Sequence, residues 1–303
     1  MITEQLKMDL YSQDDIAENE FLLFDRLEKI KSIISQYGEE NFYLSFSGGK
    51  DSTVLHYLID MAIPDNKITR VFSNTGLEFR LIYKFVKSLQ EKDNRIVIIS
   101  PRKNIVKTLE KVGYPFKSKL HSSKVGDYKR GSRAKLVMEY KTMTGKSMFS
   151  CPKILLYQYE EDFDLKISDR CCYEFKKNIF KKWCKENRKL ICMTGMRQAE
   201  KGQRAYMTCT VFREGNLAKF HPLAIVSDFW MDWFIQKYNI QLSDLYYFPY
   251  NFDRTGCVGC PYNPNIKKEL DILKEKLPNE RKRAYLYFGK VYEEYKRIGY
   301  RGM

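Results

Sequence analysis

The chain has 303 residues, 44% hydrophobic and 15% aromatic, which allows a large buried core and excludes a disordered chain. No apolar run reaches the roughly eighteen residues of a membrane span, and Met1 to Asp15 is polar and acidic without a signal-peptide core, which points to the cytoplasm. The formal net charge of +15 points to an anionic partner, and eight cysteines in a cytoplasmic chain argue against a disulfide framework.

Asp14-Asp15 is expected to cap a helix running to Gln36 and closed by Gly38, with Phe21, Phe24, Leu27, Ile30 and Ile34 as its packing face. The stretch Tyr43-Leu-Ser-Phe-Ser-Gly-Gly-Lys-Asp-Ser52 follows, and it organises the rest. It opens as an alternating strand, breaks at Gly48-Gly49 and enters an apolar-patterned helix from Thr53 to Ile63. Glycines let successive N–H groups point into one concavity, and the helix adds its positive end. Lys50, Ser47 and Ser52 supply further donors, and Asp51 offers a carboxylate for a magnesium ion. These features make a phosphate cradle, although the Walker spacing of glycines and lysine is absent.

Lys67 to Ser73 reads as a second strand ending at Asn74-Thr75-Gly76, then a helix from Leu77 to Glu91 and a strand from Arg95 to Ser100. Strands alternating with helices imply an α/β fold, a doubly wound, mostly parallel sheet with ligands beyond the carboxyl ends of the strands. Pro101 to Lys153 carries fourteen basic residues against three acidic ones, and Lys166 to Lys189 nine against three, so these stretches hold the whole excess of charge. They suit a sulfonucleotide or a nucleic-acid backbone, and equally the solvated faces of lysine-rich helices. Within the first, Tyr114 to His121 reads as a loop and Asp127 to Thr142 as a basic helix. Lys117, Lys119 and His121 are placed at a substrate entrance, His121 more as an incidental loop residue than as a catalyst.

Cys171-Cys172 and Cys257-Val-Gly-Cys260 form two halves of a four-thiolate set that suits zinc or an iron–sulfur cluster. Neighbouring cysteines chelate zinc awkwardly, which favours the cluster. Lys176 and Lys177 stand beside the first pair, to tune a cluster or contact substrate. Leu190 to Gly195 reads as a buried strand leading into Arg197, Glu200 and Arg204, where the arginines are expected to clasp phosphate or sulfate and Glu200 to orient one of them. His221 and the tryptophans of Asp228 to Trp233 read as structural. The tail, Asn265 to Arg301, reads as two helices separated at Pro278, with a stripe of Tyr285, Phe288, Tyr292 and Tyr295 packed against the cysteine module.

Ser47-Gly-Gly-Lys-Asp-Ser52 resembles the pyrophosphate loop of the adenine-nucleotide alpha-hydrolase superfamily, which includes ATP pyrophosphatases and phosphoadenylyl-sulfate (PAPS) reductases. Asn74-Thr-Gly-Leu-Glu78, Thr194-Gly-Met-Arg197 through Arg204, and the Pro222-Leu223 turn resemble further PAPS reductase motifs in family order. The resemblance runs from about Phe42 to Pro261 and implies a nucleotide site of Ser45, Ser47, Gly48, Gly49, Lys50, Asp51, Ser52, Thr75, Gly76 and Glu200. It also implies catalytic roles for Lys50, Asp51, Arg197 and Arg204. Cys171, Cys172, Cys257 and Cys260 resemble the [4Fe–4S] ligands of adenylyl-sulfate reductases, which makes zinc the lesser alternative. The implied organisation is an N-terminal helix over residues 1–40, a nucleotide-binding α/β domain over 41–240 with a basic insertion at about 113–152, and a C-terminal cysteine and helical appendage over 241–303.

Family reductases use a cysteine near the C-terminus as nucleophile, and here no cysteine follows Cys260. Cys151, Cys184, Cys192 and Cys209 remain, without the family's context. Three readings follow. The first is an ATP pyrophosphatase coupled to sulfur transfer, with Mg2+, a cluster, a sulfur donor protein and a nucleic-acid acceptor bound by the basic stretches. The second is a sulfonucleotide reductase that borrows a cysteine, and the third a non-catalytic nucleotide or redox sensor. The first is favoured over the second, and Asp51 with the arginine motif argues against the third.

Overall fold

The computed structural model describes residues 12–144 and 150–303, so that Met1 to Tyr11 and Lys146 of the basic stretch lie outside the described residues. Strands β1 (Phe42–Ser45), β2 (Thr69–Ser73), β3 (Ile96–Ile99), β4 (Ile191–Met193), β5 (Thr210–Arg213) and β6 (Asn216–Phe220) form one sheet in the order β3-β2-β1-β4-β6-β5. All neighbouring strands run parallel except β5 and β6. The helices are α1 (Gln13–Tyr37), α2 (Lys50–Ala62), α3 (Arg80–Gln90), α4 (Ile105–Val112), α5 (Lys119–Lys129) and α6 (Lys135–Thr142). They continue with α7 (Asn178–Glu186), α8 (Asp228–Lys237), α9 (Ile266–Lys276) and α10 (Pro278–Arg297). The expected α/β alternation and mostly parallel sheet are therefore present, and no helix of the described residues is long and apolar enough to cross a membrane.

The chain divides into two compact units. One gathers residues up to Asn74, Leu81–Ile99 and Lys181–Thr255, and the other Thr75–Arg80, Ser100–Phe180 and Gly256–Met303. Each is drawn from separated stretches, so neither coincides with the consecutive blocks that the motif order suggests.

The first unit contains the sheet. Phe42, Tyr43 and Leu44 of β1 are all buried, as a central strand covered on both faces requires. The order places β2 on one side of β1 and β4 on the other, so the loops after β1 and β4 diverge at a topological switch point. Beneath the sheet, wholly buried Arg70 donates to Asp60 at 2.6 Å and to Asn66 at 2.6 Å, and Arg95 donates to Asp60 at 2.8 Å and Asp93 at 2.8 Å. His56 Nδ1 accepts from Arg70 at 3.2 Å. His56, Asp60 and Asp93 are close enough to hold a metal, but the two guanidinium groups already neutralise these carboxylates.

Helix α1 departs from the expected packing. Its cap is Ser12, whose hydroxyl accepts from the Asp15 amide while the Asp15 carboxylate accepts from Ser12 N, and Gly38 closes it at φ +78°. Leu23, Ile30, Ile33 and Ile34 are buried, whereas Phe21 and Phe24 are 74% and 63% exposed. Two polar anchors turn the helix: Arg26 donates to the Pro222 carbonyl at 3.2 Å, and Trp230 Nε1 donates to the Asn19 carbonyl at 3.0 Å. The expected structural roles of Trp230, Trp233 and His221 hold, since all three are buried and His221 Nδ1 lies 2.7 Å from Thr194 Oγ1.

In the second unit the expected basic helix from Asp127 to Thr142 is two helices, α5 and α6. Gly131 adopts φ +92° between them, a left-handed turn that ends one helix before the next begins. His121 is not at an entrance or in a loop. It lies fully buried in α5, with Nδ1 3.1 Å from the Tyr140 hydroxyl and Nε2 2.7 Å from Gln158 Oε1. The tail forms α9 and α10 on either side of Leu277, and Phe288, Tyr292 and Tyr295 of α10 are buried as the stripe requires.

Candidate functional site

In the first unit, the turn after β1 and the start of α2 form the floor of a cavity of about 770 Å³, a size that accommodates a nucleotide. Gly48 takes φ +68°, and a Cβ there would lie 2.6 Å from Val86 Cγ2. The turn is tied to itself: Ser52 Oγ accepts from Ser47 N at 3.2 Å, lies 3.0 Å from Ser47 Oγ and donates to the Gly49 carbonyl at 3.0 Å. Gly195, after β4, packs directly on the first turn of α2, where a Cβ would meet the Asp51 carbonyl at 2.7 Å. Glycine at this point of the Thr194-Gly195 motif therefore serves close backbone packing.

Ser45, Ser47, Gly49, Lys50, Asp51, Ser52, Arg197, Glu200 and Arg204 all line this cavity, so two distant motifs meet in one place. Their expected roles are redistributed. Arg197 is 3% exposed and turned inward. It donates through Nε to Asp51 Oδ1 at 2.8 Å, through a terminal nitrogen to Asp228 Oδ1 at 2.6 Å and through the other to the Val226 carbonyl at 3.2 Å. It is committed to three acceptors and fixes Asp51 instead of clasping a phosphate. Glu200 accepts from the Arg197 amide at 3.3 Å and pairs with Arg204 and with Arg254 at 2.8 Å. Lys50 Nζ lies 3.4 Å from Asp232 Oδ1. Burial pushes the Asp51 carboxyl up, against the pull of Arg197, and Asp51 Oδ2 has no hydrogen-bond partner among the described residues.

Sequence patterning missed Asp228, Asp232, Tyr246, Asp253, Arg254 and Thr255, which also line the cavity. Asp228 and Asp232 stand four apart on one face of α8, a readable signal hidden among the tryptophans. The segment from Tyr246 to Thr255 has no periodicity and offers no signal. With these residues included, four cations (Lys50, Arg197, Arg204, Arg254) face five carboxylates (Asp51, Glu200, Asp228, Asp232, Asp253), so the side chains alone do not make an anion-binding excess.

Thr75 and Gly76 belong to the second unit. The Thr75 hydroxyl donates to Glu78 at 2.7 Å and accepts from the Leu77 amide at 3.1 Å, and the Gly76 carbonyl accepts from Arg283 at 2.5 Å. This segment is strapped to the cysteine turn: Glu78 bridges Cys257, and Val258 N donates to the Leu77 carbonyl at 2.7 Å. The hydroxyls of Tyr292 and Tyr295 from α10 bind the carbonyls of Gly259 and Pro261, the second at 3.1 Å, so the tyrosine stripe does secure the cysteine module.

Cys171, Cys172, Cys257 and Cys260 converge in this unit, Cys171 buried and the others half-buried. Burial pushes the Cys171 thiol far up, and the neighbouring sulfurs of Cys257, Cys172 and Cys260 push it further. Burial likewise raises Cys257 to about 11, partly offset by Lys176. The Cys257 sulfur and the Glu78 carboxylate, 3.1 Å away, in turn hold Lys176 in its charged form. A π-helical turn, Tyr173–Lys177, follows the cysteine pair and carries Lys176. The remaining thiols are poor nucleophiles: burial raises Cys151 and Cys192 to about 11, and raises Cys184 and Cys209 as well.

Residues 41–263, more than half of the chain, match the family model of the phosphoadenosine phosphosulfate reductase domain, and the chain belongs to that family. A curated relative, the uncharacterized protein MJ0973 of Methanocaldococcus jannaschii, is 39% identical over 103 residues, 31% of this chain. The match spans only 25% of that relative's length. Among solved structures, PAPS reductase from Candida auris in a phosphate complex has 15% identity and a TM-score of 0.43 over 78% of this chain and 91% of its own. The NH3-dependent NAD synthetase of Campylobacter jejuni has 12% identity and a TM-score of 0.42 over 92% and 96%. The U34-tRNA thiolase NcsA of Methanococcus maripaludis, with its [4Fe–4S] cluster, has 12% identity and a TM-score of 0.41 over 92% and 79%.

Proposed function

We propose that this PAPS reductase family member is an ATP pyrophosphatase that adenylylates an acceptor and transfers sulfur to it, with a nucleic acid as acceptor. The charge balance of the cavity carries this reading. Four cations against five carboxylates suit a triphosphate that arrives with divalent cations better than a sulfonucleotide that arrives without one. The residues fit magnesium: Asp51 presents a free carboxylate oxygen into the cavity, and Asp228, Asp232 and Asp253 are exposed around it. Magnesium bound there would neutralise charge on the departing pyrophosphate.

The chain's own residues supply the remainder. The N–H groups of Asp51 and Ser52 point from the α2 N-terminus without an acceptor among the described residues, ready for phosphate oxygens. Arg197 holds Asp51 in place, and the Glu200–Arg204–Arg254 group presents two guanidiniums at the rim. An acceptor oxygen attacks the α-phosphorus, a new P–O bond forms, the α–β P–O bond breaks and pyrophosphate leaves. A sulfide-level donor then displaces AMP, forming carbon–sulfur and breaking carbon–oxygen.

Cys171, Cys172, Cys257 and Cys260 fit an iron–sulfur cluster, because four mutually opposed thiolates need a bound positive group to ionise together. A cluster held there would supply a site for sulfur to be carried. The basic helices α4 to α6 support a polyanionic acceptor, with Lys107, Lys111, Lys119, Lys129, Arg133 and Lys135 exposed.

The test is anaerobically purified protein with magnesium, α-labelled ATP and a nucleic-acid acceptor, and separately with labelled adenylyl sulfate and thiol. Pyrophosphate and labelled, adenylylated acceptor from the first are expected, with AMP released once sulfide is added. Sulfite from the second, with none of those products from the first, would overturn the reading in favour of a reductase.

A further inference from the structure

Tyr246 and Thr255 are nine positions apart, yet their hydroxyl oxygens lie 2.9 Å from each other at the N-terminus of α2. Both stand over Gly49: a Cβ built there would be 3.1 Å from Thr255 Oγ1 and 3.2 Å from the Tyr246 oxygen. Gly49 is the N-cap and has no side chain to satisfy the first amides, so the Lys50 N–H donates to the Tyr246 hydroxyl instead, at 2.9 Å. The tyrosine is held from behind. Its amide donates to the Ser243 carbonyl at 3.0 Å, and fully buried Leu245 accepts from Phe252 N at 2.8 Å.

Proton counting gives this pair a direction. The Tyr246 oxygen accepts from Lys50 N, and one hydroxyl proton lies between Tyr246 and Thr255. Two hydroxyls carry two protons, so one proton remains, with no acceptor among the described residues. Both side chains line the cavity, so this proton is available to a ligand there. Because the phenol accepts from a helix amide, its own O–H is polarised toward donation. Burial also pushes the Tyr246 phenol up, which keeps it protonated.

The geometry points to Tyr246 and Thr255 as a binding pair for the pyrophosphate portion of ATP, relaying the Lys50 amide to a phosphate oxygen through one hydroxyl link. The inference rests on the ATP reading of the same cavity and adds its triphosphate-binding element. The pair reads the leaving group and not the adenylyl half, so it discriminates ATP from AMP.

The experiment is calorimetric titration of the full-length protein with magnesium pyrophosphate, magnesium ATP and AMP. Tyr246→Phe is expected to weaken pyrophosphate and ATP about tenfold or more, the loss typical of a hydrogen bond to a charged group, and to leave AMP affinity unchanged, with a melting temperature lowered by the loss of the Lys50 cap. Thr255→Val should give a smaller loss that Thr255→Ser restores, and it serves if Tyr246→Phe does not fold. Equal affinity in wild type and both variants overturns the pair while leaving the ATP reading intact. Tighter pyrophosphate binding by Tyr246→Phe also overturns it, since the hydroxyl would then be a stopper on the Lys50 amide. Wild-type protein that binds neither ATP nor pyrophosphate removes the ATP reading and the pair together.

Discussion

The cavity of the first unit and the thiol group of the second pose opposite electrostatic problems. In the cavity, Arg197 meets Asp51 and Asp228, Lys50 meets Asp232, and Glu200 meets Arg204 and Arg254. Among the described residues every charge lining the cavity except Asp253 has an ion-pair partner, so most of the site is arranged without a ligand. The four cysteines face chiefly one another, with Lys176 and Glu78 as the nearby charges. Burial and the neighbouring sulfurs hold Cys171, Cys257 and Cys260 toward their protonated forms. One site is therefore largely preorganised by the fold, and the other, on the proposed reading, would be completed by a cluster.

The sharpest way to break this contrast is Cys257→Ser. It is expected to remove bound iron and visible absorbance and to lower the melting temperature, because metal binding free energy is folding free energy here. ATP affinity is expected to be unaltered, and unchanged iron content would exclude Cys257 as a ligand. Next in size is Asp51→Asn, expected to slow pyrophosphate release at least about 100-fold while the protein still binds ATP. Full turnover in this variant would refute the carboxylate's role. Arg197→Lys is milder. Lysine keeps the charge but loses the fork that spans Asp51 and Asp228, so a turnover loss of about tenfold with little change in KM is expected. A loss confined to KM would instead show that Arg197 contacts substrate.

A separate effect, on stability instead of turnover, is common to both units. Burial lowers His56, His121 and His221 to about 4 each. Unfolded histidines take up protons below about pH 6.5, so the unfolded state binds more protons between pH 6.5 and about 4. The histidines' contribution is complete above pH 6.5 and is lost progressively as pH falls through that window. Melting temperatures measured from pH 7.5 to 4.5 should fall accordingly, and a flat profile would contradict the assignment.

Much of the cavity was legible because its physics is local. Ser47 to Ser52 supplies a glycine turn, a helix start and the first donors within six consecutive residues, whereas the alternation expected of the strand before it gives way to a run buried on both faces, Phe42 to Leu44. The Arg197 motif was legible as a set of residues, but its use was not. Whether a guanidinium points at a ligand or at a carboxylate depends on what the fold brings opposite it, and Asp51 and Asp228 were brought there. Thr75 illustrates the same limit, since its hydroxyl is taken by Glu78 next to the cysteine turn.

By itself, then, the sequence determined the alternation of strands and helices, the phosphate turn, the four thiols and the tyrosine stripe, because each depends on neighbours within a few residues or on side-chain chemistry alone. Only the tertiary structure decided which face of α1 is buried, that His121 is a core residue, and that Tyr246, Arg254 and Thr255 close the cavity. Those outcomes depend on contacts between segments up to about two hundred residues apart, such as Lys50 with Tyr246 and Trp230 with Asn19, which no local pattern encodes.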